Sequence, residues 1–250
     1  MSGLTSALGL LTRLPLPAHA WEPAKAARWL PAASIVLAAP VAAAAWGLGE
    51  AVPPGAAAAV TVAAWAAATG ALHLDGLADC ADAAFVPASR ERRSEILRDV
   101  HHGTFAVAAV GLVLLVKFGC LASMAPGTAA GATAAAIVAS RGALPAIARA
   151  FPPLGADGMG AAFRGGCTRG VAALGVAAGF GSALLVLGPW GLTAAACAGA
   201  AAGLTAWGLS RALGGLNGDA YGACIETAEC AALLAAAALI PKLTPWWFAA

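Results

Sequence analysis

The chain has 250 residues, of which 61% are hydrophobic and only 10% charged, and its formal net charge is +2. With a mean hydropathy of +0.82, this is not the composition of a soluble domain; the length accommodates about seven membrane spans of about 20 residues. The small net charge, and the lack of any basic stripe with interleaved aromatics, exclude nucleic acid as a partner.

In chain order, residues 3–17 are too short to span and carry Arg13, so they read as an interfacial or re-entrant segment ending at Pro15 and Pro17. No basic start, apolar core and cleavage site follow one another, and a cleaved signal peptide is not expected. Apolar stretches predict spans near 31–49, 56–74, 105–125, 128–150, 170–188, 190–209 and 226–241. They are rich in Ala and Gly, which suits close helix–helix approach and self-association. Alanine is only mildly hydrophobic, so the count is open between six and eight. No fixed-period repeat or linker divides the chain, which reads as one all-α integral membrane domain over 1–250 with short interfacial helices. The six cysteines are scattered without a C-x-x-C pair, arguing against zinc and disulfides.

Charge placement sets an orientation. Arg13, Lys25, Arg28, Arg90, Arg92, Arg93, Arg98, Arg164, Arg169 and Arg211 precede the first span or fall in alternate loops, and Arg149 ends the fourth span on the same side. The positive-inside rule places the N-terminus and loops 75–104, 151–169 and 210–225 in the cytoplasm, with Lys242 in a tail outside. Nearly every acid shares that side. Acids contribute little to topology, so their asymmetry says that the chemistry faces the cytoplasm.

The densest chemistry lies in residues 72–82, L-H-L-D-G-L-A-D-C-A-D. If helical, spacings of four and three put Asp75, Asp79 and Asp82 on one face. Unpaired they would repel, whereas a divalent cation bridging phosphate oxygens would turn the repulsion into binding. The bland alternative is a solvated loop at a membrane edge. Residues 88–99 form an amphipathic helix that Ser89 could cap, with Arg90, Arg92, Arg93 and Arg98 available to anionic headgroups. Asp99, His101, His102, Gly103 and Thr104 follow, and the histidine pair is placed for phosphate contact or proton transfer. Lys117, within an apolar run, reads as snorkelling. Arg141 is too costly there to stand alone and must meet an acid or a phosphate, with Arg149 two turns on along roughly the same face. In residues 211–229, R-A-L-G-G-L-N-G-D-A-Y-G-A-C-I-E-T-A-E, the glycines Gly214, Gly215 and Gly218 would let backbone N–H groups approach a phosphate; a plain turn is the alternative. Asp219 follows, and Glu226 and Glu229 share one helix face. No Walker A or dinucleotide fingerprint is present. Acids, arginines and glycine turns on one membrane face suit phosphoryl-type transfer with Mg²⁺.

These motifs, in this order and spacing, resemble the cobalamin-5′-phosphate synthase family (adenosylcobinamide-GDP ribazoletransferases). Residues 11–15 are similar to its early F-x-T-R-[LI]-P. Gly70 with His73 through Asp82 is similar to G-x-H-L-D-G-L-A-D-x-x-D, and Asp99, Gly103, Thr104, Phe105 and Val107 to D-x-x-x-G-T-[FY]-G-V. Ser140 and Arg141, with Pro145 and Arg149, resemble its S-R motif, and residues 211–229 its R-x-L-G-G-x-[TN]-G-D-x-x-G-A-x-x-E-x-x-E. The chain departs at Val100, His101 and His102, where the family carries Ser-Arg-x, and at Ala106, where Gly is common. The missing Arg beside Asp99 puts the binding role of that loop in question, with His101 or His102 as the substitute.

The resemblance implies an enzyme of the bacterial cytoplasmic membrane that joins adenosylcobinamide-GDP to α-ribazole or its 5′-phosphate. The products would be adenosylcobalamin or its phosphate, and GMP, with Mg²⁺ required. Under that expectation Asp75, Asp79 and Asp82 hold the metal. Arg13, Asp99, Thr104, Arg141, Arg149, Arg211 and the three glycines hold substrate. The base is one of Asp82, His73, Asp219, Glu226 and Glu229. Expected partners are the two substrates, the bilayer, other enzymes of the pathway and a second copy of the chain. Two rivals are weighed. A CDP-alcohol phosphotransferase needs D-G-x-x-A-R, and the spacing fails here. A cation or proton transporter predicts acids on both sides or at the midplane.

Overall fold

The structure is a computed structural model that describes residues 3–14, 16, 22–99 and 101–239. The described residues form α1 (Gly3–Leu11), α2 (Pro23–Ala26), α3 (Leu30–Ala51), α4 (Pro54–Thr69), α5 (Leu72–Phe85), α6 (Arg90–Ile96), α7 (Thr104–Ala122), α8 (Pro126–Ala150), α9 (Met159–Gly166), α10 (Arg169–Leu187), α11 (Pro189–Leu213) and α12 (Gly218–Leu239). A 3₁₀ turn joins α2 to α3. An isolated parallel bridge between Pro153 and Leu216 stands in place of any sheet among the described residues. Lys242, Pro15, Pro17 and Val100 lie outside the described residues.

Punctuation residues set the boundaries. Proline opens α3, α4, α8 and α11 within the first helical positions, where its missing N–H costs nothing. The Thr168 hydroxyl caps α10 by accepting from the Val171 N–H at 3.2 Å, and Gly214, left-handed at φ +94°, ends α11. The last span begins at Gly218 rather than near residue 226. The Asn217 side-chain carbonyl accepts from the Ala220 N–H at 3.0 Å, a helix start that the polar L-N-G-D stretch hides from a hydropathy window.

Among the described residues, six helices are long and apolar enough to cross a membrane: α3 with α2 before it, α7, α8, α10, α11 and α12. The chain is therefore a multi-pass, all-α membrane bundle. Helix α4 has only 16 residues and passes together with α5, from which it is bent by 88°. The bend is made by two consecutive left-handed residues, Gly70 (φ +59°) and Ala71 (φ +55°). For alanine that conformation costs about 1–3 kcal/mol, so it is a held feature.

Helix α5 then lies where α7 and α12 begin. Gly76 presses on α12 so closely that a Cβ there would stand 2.8 Å from the Asp219 Cα. We read α4 as the crossing segment and α5 as running along the bundle end. The connections at this end are stitched together. Arg90 donates to the Arg211 carbonyl at 3.2 Å, Arg164 to the Phe151 carbonyl at 3.2 Å, and the Leu154 N–H to the Leu216 carbonyl at 2.8 Å.

The core is mostly alanine and leucine, with a charged cluster inside it. The Lys117 ammonium of α7 bonds the carboxylates of Glu226, at 2.7 Å, and Glu229 on α12, and sits 4.5 Å from the Trp65 ring centroid of α4. Arg141 of α8 bonds the other Glu229 oxygen and the Ser140 hydroxyl at 2.9 Å. All four charged residues are buried, Arg141 and Glu229 completely. Lys117 thus does not snorkel: its partners lie on another helix 109 and 112 residues away in sequence. Two cations face two carboxylates, the only arrangement that makes such burial tolerable.

Breaking the balance has a signed consequence. Lys117→Met leaves two buried carboxylates against one guanidinium and should destabilise the detergent-solubilised bundle by about 3 kcal/mol. Adding Glu226→Gln restores neutrality and should recover most of that loss, a coupling readable in a double-mutant cycle of thermal unfolding.

Candidate active site

Helix α5 carries the acids. Gly76 and the small Ala78 and Cys80 are buried, whereas Asp75 is exposed and Asp79 partly so. Side-chain oxygens of Asp75 and Asp79 and a ring nitrogen of His102 all lie within 4.8 Å of one another. His102 stands 3.6 Å from Asp79 and 3.8 Å from Asp75. Burial first, then the like charges of Asp75 and Asp219, push the Asp79 carboxyl up to about 6. The cluster is thus short of positive charge, and two carboxylates with an imidazole are a donor set that a divalent cation fits.

Asp82, expected beside Asp75 and Asp79 as a ligand and also weighed as a base, does something else. Its carboxylate accepts from the backbone N–H groups of Gly103 and of Ala106, the latter at 3.0 Å. It caps the start of α7 from a different helix, which fixes the loop carrying His102 over Asp75 and Asp79. Position 103 has no room for a side chain, since a Cβ would stand 2.8 Å from Asp82 Oδ1.

The remaining candidates divide sharply. Asp219, in the first turn of α12, is half-buried next to Gly76 and accepts from the Asn217 amide at 2.7 Å. Its backbone packs on Gly76, the residue after Asp75, which sets it beside the acid cluster. Glu226 and Glu229 do not reach it: buried ion pairs occupy both, which removes them as bases. His73 is buried with Nδ1 3.4 Å from Arg141 Nη2, a neighbour that opposes protonation.

Arg141 has found its acid in Glu229, so of the two expected partners the carboxylate, not a phosphate, is the one present. Arg149 is exposed at the end of α8 and donates to the Cys167 carbonyl at 3.0 Å, away from Arg141. Arg211 is exposed and stacks 4.6 Å from the Trp207 ring centroid. Arg13 is exposed, and its side chain lies against Gly70, at the bend that aims α5.

The glycines have structural reasons of their own. Gly214 ends α11, and Gly215 abuts the Pro153 backbone, where a Cβ would fall 2.6 Å from the carbonyl carbon. That is the plain-turn reading for both. Gly218 is exposed with open space around it at the start of α12. Asp99 is exposed and tied to His101 Nδ1 at 2.8 Å, whose hydrogen bonds hold its carboxyl below the usual range. Thr104 opens α7 with its side chain exposed. In α6, Ser89 caps as expected, accepting from the Arg92 N–H at 3.4 Å. Arg93, however, turns inward to the Ala84 carbonyl at 2.8 Å at the end of α5.

A model of the cobalamin-5-phosphate synthase family matches residues 3–237. The chain is similar to the adenosylcobinamide-GDP ribazoletransferase of Novosphingobium aromaticivorans, at 37% identity over 95% of this chain and 96% of that protein. The proteins of the same name from Deinococcus radiodurans and Brevibacillus brevis are 37% and 31% identical. Those matches cover 89% and 99% of this chain, and 81% and 100% of the relatives. No solved structure matches. The match runs from the first described helix into the last turn of α12, through every element that builds the acidic end, and the chain is a transferase belonging to the cobalamin-5-phosphate synthase family.

Proposed function

We propose that the acidic end of the bundle joins adenosylcobinamide-GDP to α-ribazole, or its 5′-phosphate, releasing GMP. The observation that carries this reading is the convergence of Asp75, Asp79 and His102 at one bundle end, with Asp219 packed on Gly76 beside them and lining a cavity there. That end, rich in Lys and Arg, is the cytoplasmic face of the bacterial inner membrane in this proposal. The relatives' names supply the donor and the acceptor class; the site supplies the roles.

Asp75 and Asp79 would hold Mg²⁺, with His102 at its edge; a hard cation prefers the two carboxylates. The bound ion would neutralise the donor's diphosphate. Arg13 at the helix bend, and His102 when protonated, add positive charge for the donor phosphates. With Asp75 and Asp79 holding the ion and Asp82 capping α7 through both oxygens, Asp219 is the acid left in the cluster, and it acts as the base. A ribose hydroxyl oxygen attacks the phosphorus on the cobinamide side. Its proton passes to the Asp219 carboxylate, the phosphorus–oxygen bond to the GMP phosphate breaks, and the electron pair leaves with GMP. The corrin ring is too large for the cavity of about 130 Å³ beside the acids and stays at the bundle surface.

Detergent-solubilised protein given adenosylcobinamide-GDP and α-ribazole 5′-phosphate should form corrinoid product and equimolar GMP only with Mg²⁺, followed by chromatography. Asp75→Asn and Asp79→Asn should each lower turnover by ~10³-fold or more while the protein still inserts and unfolds normally; near-normal rates in both would sink the assignment. Asp219→Asn should lower kcat ~10²- to 10⁴-fold with little change in either KM. Product from a CDP-alcohol and a lipid alcohol instead would favour the rival transferase.

A further inference from the structure

A cavity of about 130 Å³ opens between α1, α5, α8, α9 and α12. Its walls are almost wholly apolar, including Leu72, Leu144, Met159 and Phe163. Three side chains depart from that character: His73, Asp219 and Tyr221. Tyr221 is 7% exposed, and its hydroxyl has no hydrogen-bond partner among the described residues. Its ring packs edge-on to Phe163, with centroids 5.6 Å apart. A buried hydroxyl without a partner is rare enough in a folded protein to ask what completes it.

We infer that this cavity receives the planar aromatic base of the acceptor nucleoside, with the Tyr221 hydroxyl donating to a ring nitrogen. The inference rests on the transferase reading above and adds where one of its two substrates sits. A phosphate would find no cation on these walls, and a corrin far exceeds the volume. A small heteroaromatic ring, apolar on both faces with one acceptor at its edge, matches both walls and orphan donor. Asp219 lines the same cavity, and its backbone packs on Gly76, the residue after Asp75 in the acid cluster. A ribose attached to a base seated here therefore presents its hydroxyls to Asp219, with Asp79 and Asp75 beyond. The pocket selects the acceptor, and the acids act on the sugar it carries.

Two variants of the full chain in detergent test this. Tyr221→Phe should raise the KM for α-ribazole 5′-phosphate ~5- to 10-fold, leaving kcat, the donor KM and the melting temperature near wild type. Met159 is 61% exposed at the rim, so Met159→Trp should fold normally yet raise the acceptor KM ~10-fold or more by filling the entrance. Equilibrium binding of free benzimidazole, without donor, should weaken in step in both variants. Unchanged acceptor KM and unchanged benzimidazole binding in both would overturn the inference. If the wild type binds benzimidazole in a Tyr221-dependent way but transfers nothing, the pocket stands and the transferase reading falls. If it turns over with both variants indifferent, the reverse holds.

Discussion

Lys117, Glu226, Glu229 and Arg141 tie three helices together through charge in a medium that does not tolerate charge, and the geometry of the acidic end depends on that tie. Between alanine-rich helices, van der Waals contact alone specifies register poorly, because one small side chain packs much like the next. An ion pair has no such freedom: a shift of α12 by one residue would leave charges unpartnered at several kcal/mol each. The same α12 carries Asp219 in its first turn, where it meets Gly76 of α5. His73 extends the tie to α5 itself through Arg141. The depth of α12 is thereby set by buried charge, and with it the height at which Asp219 meets Asp79.

A second level of control is local. Gly70 and Ala71 turn α5 away from α4, and Asp82 anchors the following loop by capping α7 across the fold. One face of α5 therefore splits its duties. Asp75 and Asp79 meet His102 at the surface, while Asp82, one turn further, holds in place the loop that brings His102 to them. The two functions need opposite surroundings, partial exposure for the first pair and burial for the third, and the tilt of α5 into the bundle end provides both.

Much of this was legible in the residues. Hydropathy located the spans, and the spacing of Asp75, Asp79 and Asp82 is that of one helix, α5, which carries all three. What escaped has a common physical cause: pairing between distant segments. Lys117 viewed along its own helix has only apolar neighbours, and nothing local announces partners 109 residues away. Glu226 and Glu229 looked like site acids because their cations lie on other helices. Gly215 looked like part of a phosphate cradle because the Pro153 backbone against it is 62 positions upstream, and Gly214 is accounted for by the left-handed end it makes for α11. The early start of α12 escaped for a different reason, since an Asn cap and a first-turn Asp lower hydropathy where they favour a helix.

The order of the charges along the chain shapes how the bundle is built. Lys117 and Arg141 are synthesised well before the carboxylates that neutralise them, 109 and 88 residues ahead of Glu226 and Glu229 respectively. At ordinary elongation rates the interval is roughly 5–20 s, long compared with the docking of adjacent helices. During that time the α7–α8 hairpin holds two uncompensated cations, each disfavoured in lipid by about 2.5–3.5 kcal/mol on insertion scales. The hairpin must therefore wait at the insertion machinery, or with its cations drawn toward the aqueous edge, until α12 emerges. Maturation of this enzyme is thus vectorial: α12, made after α7 and α8, supplies the carboxylates that admit their cations to their final depth.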